Sequence, residues 1–138
     1  MHTKNTKGFT LVELIVVIIV VGVIAGLAIP RYSRGIEQSY ENDATLQLKA
    51  IHSTNKIRFI RTGQYWPVNQ VNMDLGEINN NLGLSIIANN VTYECDGVVS
   101  GLEYTCTAVR NGALGTFTLT LTESDLSATN PVCTGSCP

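Results

Sequence analysis

Residues 9–30, FTLVELIVVIIVVGVIAGLAIP, contain one ionisable side chain, Glu13. No other stretch limits the fold so strongly. As an α-helix these residues extend about 33 Å at ~1.5 Å per residue, enough to cross the hydrocarbon core of a bilayer. A secretory peptide would be cut beyond its apolar region, after small residues. Ile29-Pro30-Arg31-Tyr32 is a poor match for such a site. The run is therefore expected to remain in the mature protein as a transmembrane segment.

Basic residues flank it on both sides, Lys4 and Lys7 before and Arg31 and Arg34 after, so charge alone sets no orientation. The cysteines decide it. Cys95, Cys106, Cys133 and Cys137 are even in number and lie in the C-terminal third, among Thr, Asn and Gly. That composition suits disulfides formed outside the cytoplasm, which puts residues 1–8 in the cytoplasm and the remainder in the periplasm. With 138 residues there is room for one modest domain.

Beyond Pro30 the pattern turns amphipathic. Ile36, Tyr40, Ala44, Leu48, Ile51 and Phe59 share one side of a helix, and Leu46, Ala50, Ile57 and Ile60 share another. A strip of Gln38, Thr45, Lys49, His52 and Lys56 separates them and is expected to be solvated. One apolar face serves a globular head and the second calls for another partner. Residues 9–60 read as one helix about 78 Å long. Gly63 and Pro67 end it. A short helix from Asp74 to about Leu82 is expected from the capping-box spacing of Asp74 and Glu77, weakened by Asn79, Asn80 and Asn81.

Three strands follow by period-two alternation: 91–96 with Val91, Tyr93 and Cys95 on one face, 103–109 with Tyr104, Cys106 and Ala108, and 116–122 with Phe117, Leu119 and Leu121. Turns are expected at 97–101 and 111–115. The class is α+β: a long N-terminal helix whose second half packs on a small antiparallel meander of three or four strands. Folding the first hairpin about Ser100-Gly101 sets Cys95 opposite Cys106 and leaves Cys133 with Cys137. Other pairings of the four, one stapling the tail to the sheet, stay open.

The octet Lys7-Gly8-Phe9-Thr10-Leu11-Val12-Glu13-Leu14 resembles the processing site of type IV prepilins. The leader is short and basic, Gly8 ends it, an aromatic opens the apolar run, and one glutamate stands five residues past the glycine. Gly22, Gly26 and Pro30 follow near its end. The resemblance covers residues 1–60; beyond them only the general layout agrees. It implies a leader of residues 1–8, an assembly helix at 9–30, its amphipathic continuation at 31–61, and a head at 62–138. It implies cutting between Gly8 and Phe9 by a membrane-embedded prepilin peptidase, with N-methylation of Phe9. It implies that Glu13 pairs with the Phe9 amine of a neighbour and sets the axial offset, whereas by position alone Glu13 could simply reach the membrane interface. It also implies that Gly22, Gly26 and Pro30 weaken the helix during assembly.

The implied product is a structural subunit of a type IV pilus, a helical homo-oligomer serving adhesion, motility or DNA uptake. Two alternatives stand beside it, a pseudopilin of a type II secretion system and a minor pilin with a binding role. The protein would lie in the inner membrane before assembly. Afterwards it would lie in an extracellular pilus or a periplasmic pseudopilus, built by separate assembly machinery. The sequence holds no P-loop, Gly-x-Ser-x-Gly, HExxH or dinucleotide fingerprint. An enzyme, a cofactor and a metal site are therefore not expected. Arg110 is the one basic residue after position 61, against a clear acidic majority, so direct nucleic-acid binding by the head is not expected. Phe9, Tyr32, Tyr40, Phe59 and Tyr65 read as packing residues rather than a path for electrons.

Overall fold

The computed structural model describes residues 8–123 and 131–137. Residues 1–7 of the expected leader and residues 124–130 and 138 of the expected head lie outside them. Helix α1 runs from Leu11 to Thr62, about 78 Å at ~1.5 Å per residue. It starts two residues later than the apolar pattern, because Thr10 is its N-cap in extended geometry. It passes unbroken through Gly22, Gly26 and Pro30. Glycine lowers helix stability without forbidding it, and a helix can carry proline at the loss of one hydrogen bond. Gly63 ends α1 at φ 74°, donating its N–H to Phe59 O at 2.8 Å. That left-handed geometry favours glycine.

A segment with a cis Trp66–Pro67 peptide leads to α2, Leu75–Leu82. Asp74 and Glu77 close a reciprocal capping box there, at 3.0 and 3.1 Å. The sheet is an antiparallel meander of β1 (Thr92–Gly97), β2 (Tyr104–Gly112), β3 (Gly115–Thr122) and β4 (Val132–Gly135), in the order β1-β2-β3-β4. The second turn is tighter than the pattern implied. Gly112 pairs with Gly115, leaving only Ala113 and Leu114 as the loop. β4 pairs with β3 from Thr120↔Val132 to Phe117↔Gly135, so the tail joins the sheet through its backbone.

α1 packs on β2 and β3, while α2 lies on β1 and α1. The core between them holds Ala44, Leu48 and Ile51 from α1, Ile78 and Leu82 from α2, and the alternating residues Tyr93, Cys95, Tyr104, Cys106, Ala108, Phe117, Leu119 and Leu121 from the sheet. The outer edge of β1 is covered. Met73 and Cys95 exchange backbone bonds at 3.0 Å, and Gly97 N donates to Gln70 O at 2.8 Å. The loop before α2 thus occupies an edge that would otherwise invite pairing with another chain.

Candidate assembly site

The chemistry of the apolar arm is concentrated at its first turn. Gly8 and Phe9 precede the helix and are exposed, Phe9 at 90%. Thr10 and Glu13 form a capping box. Thr10 N donates to Glu13 Oε2 at 2.8 Å, Thr10 Oγ1 donates to the same oxygen at 2.9 Å, and Glu13 N donates to Thr10 Oγ1 at 3.3 Å. Two orphan helix donors are thereby satisfied, and the carboxylate sits where the helix dipole favours negative charge. The Thr-x-x-Glu spacing of such a box is legible at Thr10 and Glu13 in the sequence. Oε2 is engaged within the chain. Oε1 accepts no hydrogen bond among the described residues.

From Leu11 to Ile29 no large apolar side chain is buried; the most covered, Ile15, is 43% exposed. An arm that is apolar all round needs lipid or other helices about it.

Above the arm, α1 is tied to the head by two polar clamps that the periodicity did not reveal. At the lower one, Arg110 Nε donates to Glu37 Oε2 at 2.7 Å and Nη2 donates to Oε1 at 3.1 Å. Ala113 N donates to Oε1 at 3.3 Å, Nη1 reaches Asn90 O at 3.3 Å, and the guanidinium lies 3.6 Å from the centre of the Tyr40 ring. The guanidinium hydrogen bonds hold the Glu37 carboxyl below its ordinary 4.5 and outweigh the opposing effect of burial, while Glu37 raises Arg110. Gly112 belongs to this clamp, since a β-carbon there would collide with the Glu37 carboxylate. At the upper clamp, fully buried Asn55 donates Nδ2 to Trp66 O at 2.6 Å and accepts from Trp66 N at 2.8 Å.

His52 departs from expectation. It is half-buried rather than solvated, and its Nδ1 shares a hydrogen bond with Tyr104 OH. Burial pushes the imidazole down, helped by the charge of Lys56. Nearby, Phe59 stacks on Tyr65 at 4.4 Å and Tyr65 tilts against Tyr104 at 5.2 Å. Phe9 and Tyr32 are exposed on the arm instead. Burial raises the Tyr93 phenol to about 12.

Cys95 bonds to Cys106 across β1 and β2, and Cys133 bonds to Cys137 within the last turn. Among the described residues no group of three or more His, Cys, Asp or Glu is arranged to hold a metal ion. Hollows among the described residues are shallow, and one of about 420 Å³ is lined by Ile36, Ser39, Tyr40, Asn89 and Asn90. No nucleophile there stands beside a base.

Residues 3–29 match the family model of the prokaryotic N-terminal methylation motif. The chain is also 34% identical, over 61 residues, to the type IV major pilin protein PilA of Myxococcus xanthus (strain DK1622). That alignment covers 44% of this chain and 28% of the relative, so it concerns only part of either protein. No solved structure matches. A methylation-motif arm continuous with a helix that carries a small antiparallel head, together with this partial likeness to a major pilin, supports a relationship to the type IV pilins.

Proposed function

We propose that the protein is a structural subunit of a type IV pilus, assembled through residues 9–30 and continued by the outer face of α1. The observation that carries this reading is a helix apolar on every side over the arm and apolar on a second face beside the head. Leu46 is 65% exposed, Ile57 50% and Ile60 82%. A lipid bilayer covers the arm but not these residues, which lie more than ten residues above it. Neighbouring copies in a filament cover both. Adhesion, motility or DNA uptake would then be properties of the whole polymer.

The Gly8–Phe9 peptide is the cleavage point on this reading, since it lies exposed ahead of the helix. Methylated Phe9 would present a cation to Glu13 of the next copy. Glu13 already receives two donors from Thr10, so the incoming amine adds to a formed acceptor. The pair sets axial register, since an unpaired charge inside a dry bundle would be strongly penalised. Two measurements on the Glu13→Ala chain test this. Membrane insertion is expected to persist, and shed surface filaments, counted by electron microscopy and immunoblot, are expected to fall at least tenfold. Filament yield equal to the parent would remove the registry role.

A further inference from the structure

The lower rim of the head stands close to the end of the apolar arm. Leu114, at the tip of the β2–β3 hairpin, is 47% exposed. It lines a hollow of about 300 Å³ together with Arg34, Glu37, Ser136 and Cys137. Arg34 is four residues past Pro30, about 6 Å along the axis at ~1.5 Å per residue. The headgroup layer outside the hydrocarbon core is about 5–7 Å deep on each side. If the apolar run fills the core, Leu114 lies within that layer. The hairpin is held there, because Ala113 N bonds to Glu37 and Arg110 fixes Glu37 by two further bonds.

The charges at this level fit a phospholipid surface. Arg31 and Arg34 are exposed, and neither forms an ion pair among the described residues. Guanidinium groups bind phosphate oxygens in a two-pronged geometry. Tyr32, 72% exposed between them, is the residue type enriched at membrane–water boundaries. The far end of the head is different. Val99 in the β1–β2 turn is 75% exposed, but its hairpin bonds to the chain beyond α1 through Tyr65 N and Gly101 O at 2.7 Å. That places it about 48 Å from Pro30 along the helix.

We propose that Leu114, Arg31, Tyr32 and Arg34 form a lipid-contact surface, which seats the head on phosphate headgroups before the subunit enters a filament. This rests on the membrane-anchored reading of residues 9–30. The test uses the full chain in bilayers, with a tryptophan added singly at Leu114, Val99 or Val20. Trp66, buried at 4%, is retained and its emission subtracted. With lipids brominated near the glycerol, Leu114→Trp is expected to blue-shift and lose roughly half its emission, as for a side chain seated at the headgroup boundary. Val99→Trp is expected to remain unquenched. Adding Arg31→Gln and Arg34→Gln should cut the Leu114→Trp quenching about twofold in bilayers containing anionic lipid. Val20→Trp, quenched by lipids brominated at mid-chain, reports the arm alone. Quenching at Val20 with none at Leu114 would overturn this inference and leave the anchor standing; no quenching at Val20 would remove both. A blue shift at Leu114 without bromine quenching would mean that protein, a second copy, covers the rim. Quenching unchanged by the arginine substitutions would overturn the assignment to charged headgroups.

Discussion

The two halves of α1 are one continuous helix with opposite fates. Between Leu11 and Ile29 every large apolar side chain is substantially exposed, whereas Ala44, Leu48 and Ile51 are at 0%. Residue type alone does not decide the fate of a side chain, since Ile and Leu occur in both halves, although the distal half carries fewer of them and no Val. The difference is what the chain brings to each. The distal half receives a sheet, a second helix and two polar clamps; the proximal half receives nothing from the rest of the described chain. Its apolar surface is therefore a demand on the surroundings, while the same residue types further along are a source of stability.

The sharpest way to break that contrast is to unpair the buried charge that joins the halves. Arg110→Met leaves Glu37 enclosed, with side-chain exposures of 10% and 7% in the parent pair. Removing one partner of a buried pair costs about 3–5 kcal/mol. Urea unfolding of the full chain in detergent, followed by Trp66 fluorescence, reads the loss directly. The double variant Glu37→Met/Arg110→Met is expected to recover most of it, because neither charge remains. If the single variant were as stable as the parent, the clamp would not hold the head.

Truncating the same residue class in each half comes next. Leu48→Ala empties a fully buried position and is expected to cost about 3 kcal/mol. Ile18→Ala, at a position 61% exposed, should leave the head within about 0.5 kcal/mol of the parent. Equal losses in the two variants would dissolve the distinction between the halves.

Acid probes the junction without mutation. The Glu37 carboxyl is held below its ordinary 4.5 by Arg110. A carboxyl depressed on folding contributes stability that is complete above its unfolded value and disappears as pH falls through the folded value. The unfolding midpoint should therefore drop below about pH 4.5, and more shallowly in the Glu37→Met/Arg110→Met variant. His52 acts at higher pH. Its folded value is lowered by burial, so its share fades as pH falls below about 6.5, where the unfolded chain takes up a proton first. A parent and double variant with identical acid profiles would remove Glu37 from the account.

What could be read before folding was local or periodic. Alternation at Val91, Tyr93 and Cys95 and at Phe117, Leu119 and Leu121 carries strand faces within a few residues. The symmetry of Ser100-Gly101 carries the Cys95↔Cys106 register. Gly63 and the Asp74–Glu77 box mark helix ends by residues three or fewer positions away. What stayed hidden were pairs whose members meet only after folding: Glu37 with Arg110, His52 with Tyr104 and Asn55 with Trp66. His52 looked like a solvated position, and Glu37 and Asn55 carried no signal at all, because no neighbour in sequence explains any of the three. Strand β4 was allowed for by a meander of three or four strands but could not be placed. Four residues, Val132-Cys133-Thr134-Gly135, are too short for alternation to register, and the strand exists because β3 offers an edge.

The smallest expected effect on the single subunit separates a folding role from an assembly role. Leu46 and Ile60 lie on the face of α1 turned away from the head, 65% and 82% exposed. Replacing either by Ser removes apolar surface that the isolated chain never buries, so its stability in detergent should stay within about 0.5 kcal/mol of the parent. In a filament the same surface would be enclosed between copies. Burying a Leu or Ile side chain contributes about 1.5–3 kcal/mol, and the loss would recur at every subunit. Leu46→Ser/Ile60→Ser should thus melt like the parent as a monomer yet give filaments that dissociate at lower detergent concentration. Filaments of parent strength would show that this face is free in the polymer, and that the apolar arm alone carries the contacts between subunits.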